Sequence, residues 1–144
     1  MNSENINLIN KNQKIAREYF SVRDYECDIQ GIVNNSVYLN YLEHARHKYL
    51  KSLGIDFVEL SKAGIDLVVI EIHIKYLNSL SFDDDFYVET QFAKISKLKF
   101  LFKQKIFKSE NSSKSILDAE VVGCSINRKT KKPIQIENSI LALL

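Results

Sequence analysis

The chain has 144 residues, of which 45% are hydrophobic and 26% are charged, and its formal net charge is +2. The length suits one domain, and the composition is that of an ordinary globular protein. Nucleic-acid binders usually concentrate basic residues on one face, so the near balance of charge argues against nucleic acid as a partner. The cysteines, Cys27 and Cys124, are too few for the disulfide framework of a small secreted protein.

The N-terminal residues 1–14 are rich in Asn, Ser and Lys. They predict a flexible segment ahead of one domain over residues 15–144. They lack the basic stretch followed by an apolar stretch that marks a secretory signal. No apolar run approaches the roughly 20 residues that span a bilayer. We therefore expect a cytoplasmic protein with reduced cysteines and no membrane span.

The first predicted strand covers residues 15–26. Tyr19 and Phe20 are typical strand residues, although apolar and polar positions alternate imperfectly along this segment. Residues 27–31 then predict a turn, because Gly31 adopts positive φ angles without steric cost.

The clearest helix of the sequence follows this turn. Asn34, Asn35 and Ser36 are suitable N-cap residues, no Gly or Pro interrupts the segment up to about Leu53, and Gly54 is a typical helix end. Apolar residues recur at helical spacing, namely Tyr38, Leu42, Ala45 and Tyr49. The apolar face is broad, which indicates a helix surrounded by other structure.

Beyond a short helical turn at 57–62, the apolar period changes from 3.6 to 2 after Gly64, which predicts strands. The predicted strands cover residues 70–76, 86–92, 98–107 and 121–126, and a polar-apolar tail begins at Ile134. Separate runs of helix and strand predict an α+β fold. One helix covers only part of one sheet face, so the exposed strand edges favour an oligomer.

A motif of fixed spacing lies between the first strand and the helix. Its residues are Asp28, Gly31, Val33, Tyr38, Glu43, Ala45 and Arg46. This motif resembles the signature of the 4-hydroxybenzoyl-CoA thioesterase family, including the Tol–Pal-linked acyl-CoA thioesterases. The resemblance implies a hotdog fold, a curved antiparallel sheet around one helix that pairs as a homodimer or homotetramer. It also implies hydrolysis of acyl-CoA without a cofactor, because coenzyme A is part of the substrate.

Thioester hydrolysis needs a nucleophile or base, and hydrogen-bond donors for the oxyanion. The resemblance implies that Asp28 is the nucleophile or the general base, and the sequence leaves both roles open. The free N–H groups of the helix start, near Val33 to Val37, would bind the oxyanion. The alternative for Asp28 is a residue that stabilises the turn ahead of Gly31.

The residues Asn34–Asn35 depart from the Tol–Pal-linked pattern, in which many members carry Tyr-His. An Asn-Asn pair here is similar to plant-type acyl-ACP thioesterases. Asn35 either serves catalysis, by orienting water or donating to the thioester carbonyl, or is a plain N-cap. Gly31, Val33, Asn34 and Tyr38 are predicted to contact the substrate, with Tyr38 lining the acyl pocket.

Other polar residues offer weaker signals. His44 and His47 lack a convergent third ligand, so no metal site is predicted, and Glu43 is expected to pair with Arg46 or His47. Basic residues of the later strands and of 128–132 are possible contacts for the coenzyme A phosphates.

The function predicted from the sequence is that of an acyl-CoA thioesterase. Two alternatives remain, an acyl-ACP thioesterase and a non-catalytic module that binds acyl thioesters; a dehydratase of this fold would want a His that segment 28–35 lacks.

Overall fold

A computed structural model of the chain describes residues 15–135. In chain order, its elements are β1 (Ala16–Ser21), α1 (Asn35–Ser52), α2 (Phe57–Lys62), β2 (Ile65–Tyr76), β3 (Asp85–Lys94), β4 (Lys99–Lys108), β5 (Ser115–Asn127) and β6 (Pro133–Ile134). No helix in this described part is long and apolar enough to cross a membrane. The predicted flexible segment 1–14 lies outside the described residues, as does the end of the predicted domain after residue 135.

The strands form one antiparallel sheet in the order β1-β3-β4-β5-β2, with β6 pairing the end of β5. The helix α1 packs on one face of this sheet, and two clusters of buried apolar residues lie between them. One cluster surrounds the first half of α1, and the other surrounds its second half. This is the α+β hotdog fold, as predicted.

The predicted helix is confirmed as α1, and local chemistry explains both of its ends. The Asn34 side chain accepts a hydrogen bond from the Ser36 N–H at 3.3 Å, which satisfies one of the donors that a helix start leaves free. Gly54 takes a φ of 83° just beyond the helix, a conformation that disfavours other residues. The buried face of α1 consists of Tyr38, Tyr41, Leu42, Ala45, Tyr49 and Leu50.

The first strand is shorter than predicted, because β1 ends at Ser21 rather than near residue 26. After it, residues Asp24–Glu26 form a single 3-10 turn. The Glu26 carboxylate accepts a hydrogen bond from the Arg23 N–H at 2.8 Å, and this local bond favours the turn over a continued strand.

The predicted strand at 70–76 is also incomplete, since β2 begins at Ile65. The pairing with β5 shifts register between Val69 and Glu71, and such a bulge breaks the period-2 pattern on which the prediction relied. The tail predicted from Ile134 is wrong at its start, because residues 133–134 pair with Ser125 and Ile126 of β5.

Candidate active site

Residues 27–33 form a tight hairpin directly ahead of α1. Cys27 and Val33 make a β-bridge, and the Asp28 N–H donates to the Ile32 carbonyl at 2.8 Å. The Gly31 N–H donates back to the Asp28 carbonyl at 3.0 Å, and Gly31 has a φ of 80°. The predicted turn and its need for glycine are confirmed.

Asp28 is exposed near the tip of this hairpin. Its Oδ1 accepts a hydrogen bond from the Gln30 N–H at 2.8 Å, so the turn-stabilising contact that was the alternative for Asp28 is present. Within residues 15–135, its Oδ2 has no hydrogen-bond partner. The two roles are therefore compatible, because one oxygen orients the carboxylate and the other stays available to a substrate or a water molecule.

The hairpin is fixed to the rest of the fold by backbone hydrogen bonds. The Val33 N–H donates to the Leu80 carbonyl at 2.8 Å, and the Asn34 N–H donates to the Glu26 carbonyl at 3.0 Å. Ile32 forms a further bridge with Ser81. These contacts hold the carboxylate and the start of α1 in one arrangement, which a catalytic site requires.

The predicted set of oxyanion donors at Val33 to Val37 is too broad. The Ser36 and Val37 N–H groups donate to the side-chain and backbone oxygens of Asn34, at 3.3 Å and 2.9 Å. Since the Val33 and Asn34 N–H groups are also engaged, Asn35 has the one N–H of these five without an acceptor in the described part of the chain. A donor at a helix N-terminus also carries part of the positive end of the helix dipole.

The neighbouring asparagines have different surroundings. Asn34 is the N-cap of α1, so the N-cap alternative for Asn35 is wrong. The Asn35 side chain is exposed, and the described residues give it no hydrogen bond; its backbone carbonyl accepts one from the Tyr76 hydroxyl at 3.4 Å. The catalytic role of Asn35 stays a prediction, but its amide is free to serve a substrate.

Two residues that were predicted to contact substrate are buried. Tyr38 is 3% exposed and Val33 is 2% exposed. The Tyr38 hydroxyl oxygen accepts a hydrogen bond from the Leu80 N–H at 3.1 Å, and burial raises the pKa of Tyr38. In this structure Tyr38 braces the segment to which the hairpin is bonded, and its contact with an acyl group stays a prediction.

A second feature lies along the other half of α1, where a cavity of about 120 Å³ separates the helix from the sheet. The side chains on its sheet side are apolar, and the residues there are Leu67, Val68, Val69, Phe100, Phe102, Val121 and Gly123. Its helix side carries polar groups, Glu43, Arg46 and His47. Sequence reasoning missed this cavity because its residues come from α1, α2 and three separate strands.

Arg46 belongs to a buried hydrogen-bond network beside the cavity. Its Nη1 donates to Gln104 Oε1 at 3.0 Å, and Gln104 Nε2 donates to the Leu42 carbonyl and to Thr90 Oγ1, both at 3.0 Å. Burial lowers the pKa of Arg46, and the nearby Glu43 carboxylate opposes that effect. The network links α1 to β3 and β4 and thereby holds the second half of α1 at a fixed distance from the sheet.

The histidines have carboxylate neighbours rather than metal-site geometry. His47 Nε2 lies 3.9 Å from Glu43 Oε1, which confirms the predicted helical pair, and His44 Nε2 lies 3.7 Å from Glu18 Oε1. Between residues 15 and 135, no three His, Cys, Asp or Glu side chains are grouped so that they could hold a metal ion.

The basic residues proposed for phosphate contact are partly engaged. Arg128 Nη2 lies 2.7 Å from Asp66 Oδ1. Lys103 is paired with Glu120 across β4 and β5, an arrangement that balances charge on neighbouring strands. Phosphate binding by these residues stays a prediction.

Comparison with known proteins places this geometry in a family. The model of the thioesterase-like superfamily matches residues 22–144. The chloroplastic acyl-acyl carrier protein thioesterase ATL3 of Arabidopsis thaliana is 38% identical over 83% of this chain and 62% of its own length. The long-chain acyl-CoA thioesterase FadM of Escherichia coli is 27% identical over 83% of this chain and 89% of its own length.

A solved structure has the same fold. The probable thioesterase YbaW from Escherichia coli superposes with a TM-score of 0.78 at 26% identity, covering 88% of this chain and 94% of that one. This chain spans about three fifths of the length of the plant relatives that it matches. Because the family model covers most of the sequence, including the hairpin and α1, the chain belongs to the thioesterase-like superfamily.

Proposed function

We propose that the protein hydrolyses acyl-CoA thioesters to the free acid and coenzyme A. One observation carries this proposal: Asp28, whose carboxylate has a free oxygen, lies in a fixed hairpin that leads directly into α1, where the first residue, Asn35, has an unengaged N–H. Membership of the thioesterase-like superfamily supports the same chemistry. Coenzyme A is part of the substrate, and the proposed reaction uses no further cofactor.

The proposed reaction assigns the two groups complementary roles. As a general base, Asp28 takes a proton from a water molecule whose oxygen bonds to the thioester carbon. As a nucleophile, the Asp28 carboxylate bonds to that carbon itself, the thiolate leaves to give an anhydride, and water then hydrolyses the anhydride to the acid and the free carboxylate. The Asn35 N–H, with its side-chain amide, donates to the carbonyl oxygen as negative charge develops. In both routes the C–S bond breaks when the first tetrahedral intermediate collapses, and the departing thiolate is protonated.

The motif between Asp28 and Arg46 supports a finer assignment within the superfamily. We assign the protein to the thioesterases similar to 4-hydroxybenzoyl-CoA thioesterase and to the Tol–Pal-linked enzymes, with Asn34–Asn35 as a variant shared with plant acyl-ACP thioesterases. Acyl-ACP is therefore the second substrate class, and the plant relative ATL3 favours it. The free thiols of Cys27 and Cys124 fit a cytoplasmic location.

The edge strand β2 supports a homodimer. It is twelve residues long, and among residues 15–135 it has a strand partner on one side only. Several of its apolar side chains are exposed, with Val69 and Ile70 each 47% exposed and Ile72 38% exposed. A long apolar edge is an aggregation hazard unless it is covered. We propose that a second copy covers it by antiparallel pairing, and that two such dimers would form the homotetramer.

This pairing would complete the active site. Full antiparallel overlap of β2 with its copy puts Leu67 opposite the partner's Ile74, since a two-fold axis inverts the strand. Leu67 lines the cavity, and Tyr76 at the other strand end contacts the start of α1. The cavity of one copy therefore faces the hairpin of the other, and we propose that this cavity receives the acyl group.

The test is release of free thiol from a panel of acyl-CoA and acyl-ACP esters by the wild type and by Asp28→Asn. The asparagine keeps the oxygen that accepts from the Gln30 N–H, so the hairpin should be retained. We expect a loss of about a hundredfold or more in kcat, the contribution of a positioned acid–base group. Asp56→Asn is the matched control, because Asp56 Oδ1 accepts from the Val58 N–H at 2.8 Å at the start of α2.

The outcomes separate the alternatives. Turnover of CoA esters that depends on Asp28 supports the proposal, and turnover of acyl-ACP alone identifies the second substrate class. If the wild type and Asp28→Asn are equally slow on both carriers, the hydrolase proposal is wrong and the module that only binds acyl thioesters becomes the better description.

A further inference from the structure

Phe100 forms the sheet side of the cavity beside α1. It is 3% exposed, although it lines the cavity, and its ring packs against Phe92 and Phe102 with centroids 5.6 Å and 5.7 Å away. These contacts leave the ring little room to move. A rigid aromatic ring therefore ends the cavity on this side.

The position of this ring depends on Gly123. Phe100 and Gly123 are paired across β4 and β5, and Val69 is paired with Gly123 on the other side. A Cβ atom on Gly123 would lie 2.6 Å from Phe100 Cε2 and 2.9 Å from the Val68 carbonyl oxygen, closer than real Cβ contacts. The ring thus occupies the space that a side chain at position 123 would need.

The cavity is graded in polarity from the helix to the sheet. Arg46 and Glu43 on α1 can contact polar groups of a ligand, whereas the sheet side presents only apolar side chains, including Phe100. An acyl chain has the same gradation, with its carbonyl at one end and methyl carbons at the other. Burial of those carbons against Phe100 would stabilise the complex in proportion to the apolar area covered.

We infer that Phe100, seated over Gly123, sets the length of the acyl group and restricts the enzyme to short chains. This inference rests on the proposed function. The cavity volume is about 120 Å³, and an apolar cavity of about 150 Å³ is known to hold benzene. The cavity therefore holds a chain end of about four to six carbons, and longer chains meet the Phe100 ring.

The experiment compares Phe100→Leu with Phe92→Leu over saturated acyl-CoA esters of increasing length. Phe92 is 1% exposed, belongs to the same aromatic cluster and does not line the cavity, so both variants lose a similar buried ring. Each buried methylene changes a binding constant about fourfold. In Phe100→Leu we expect the ratio of kcat/KM for the eight-carbon to the four-carbon ester to rise about fifteenfold, because two further methylenes fit. In Phe92→Leu this ratio should change much less, because the Phe100 ring still lines the cavity.

Binding of S-alkyl-CoA thioethers, measured by calorimetry on the same proteins, separates this inference from the proposed function. If esters are hydrolysed but neither variant changes the length preference, or if both change it equally, the role of Phe100 is overturned and the hydrolase proposal stands. If no ester is hydrolysed but only Phe100→Leu shifts thioether affinity towards longer chains, the role of Phe100 stands and the hydrolase proposal fails. If the wild type neither hydrolyses esters nor binds thioethers, both fail.

Discussion

The two ends of α1 show how differently a sequence encodes chemistry and selectivity. At the first end, Asp28 and Asn35 lie within eight residues of each other in the chain, are exposed and are positioned by backbone hydrogen bonds. At the second end, the cavity lies between the helix and the sheet, is partly open to solvent and combines residues from α1, α2 and three strands, with Phe100 and Gly123 meeting only in the folded sheet.

The difference has a physical cause. The hairpin at the first end needs particular residues at fixed spacing, such as Gly31 with its positive φ. It can therefore be recognised from the local sequence. The shape of the cavity depends on which distant side chains meet, and many apolar residues would satisfy the same local pattern. We therefore expect substitutions at the first end to change the reaction rate, and substitutions at the second end to change which substrates are accepted.

The largest expected effect would come from separating the two ends, which the proposed dimer brings together from different copies. Ile70→Asp places a charge on the exposed β2 edge, and in a two-fold dimer it places like charges near each other. We expect monomers in sedimentation experiments and a loss of activity of about a hundredfold or more, comparable with loss of the catalytic base. The fold should be retained, because substitutions at exposed positions usually cost little stability.

The control for this variant is Val58→Asp, at a residue that is 60% exposed on α2. It adds the same charge away from β2 and should leave both dimer and activity intact. A fully active Ile70→Asp monomer would mean that one copy contains the whole site. An unchanged dimer would mean that the interface lies elsewhere.

Much of the fold was predictable from the sequence, because local rules decide it. The Asn34 cap and Gly54 define α1 correctly, and the alternating residues of β3 and β4 predict their strands. The errors lie where long-range contacts override local pattern. Residues 65–69 have no alternation ahead of the β2 bulge, and residues 133–134 are a strand only because β5 offers them an edge.

The candidate site was predictable to a similar degree. The positions of Asp28 and Gly31 in a turn follow from residue type and spacing. Which N–H group is available as the oxyanion donor could not be predicted. Four of the N–H groups from Val33 to Val37 already donate hydrogen bonds, and two of these bonds go to the backbone carbonyls of Leu80 and Glu26. No local pattern shows which donors the rest of the chain will engage.

A smaller effect is expected from alanine substitutions of the two neighbouring asparagines at the first end, which should differ in whether they change kcat or stability. Asn35→Ala removes an amide that makes no hydrogen bond within the described residues, so we expect kcat to fall about tenfold to a hundredfold, as for one oxyanion donor or somewhat less, with unchanged stability. Asn34→Ala removes the N-cap and should lower the free energy of unfolding by about 1 kcal/mol. Chemical denaturation and steady-state kinetics of both variants measure this contrast.

The opposite pattern would assign Asn35 a structural role instead of a catalytic one. If Asn35→Ala lowers the free energy of unfolding and leaves kcat unchanged, then Asn35 supports the helix start and the Asp28 carboxylate acts with the backbone N–H alone. Asn40→Ala, an exposed substitution within α1, controls for the general effect of alanine on the helix.

The smallest expected effect concerns the ion pair that anchors the second end. Arg128 donates to Asp66 at the start of β2 and to the Ser61 carbonyl on α2, and the hydrogen bond from Arg128 lowers the pKa of Asp66 below its ordinary value of 3.8. A lowered pKa in the folded state means that the pair stabilises the protein above that ordinary value. The stabilisation is lost as the pH falls through the folded-state pKa, where both states become protonated.

Asp66→Asn should therefore lower the Tm slightly at pH 7, and its Tm should converge with that of the wild type as the pH falls below 3.8. The effect is small because the pair is exposed to solvent. Glu110→Gln, in the exposed loop between β4 and β5, removes a negative charge that has no paired cation among the described residues, and it should show no such convergence. A difference in Tm that stays constant down to acid pH would mean that Asp66 acts through packing rather than charge. In every case kcat for a short ester at pH 7 should be unchanged, because neither Asp66 nor Arg128 lines the cavity or belongs to the hairpin of residues 27–33.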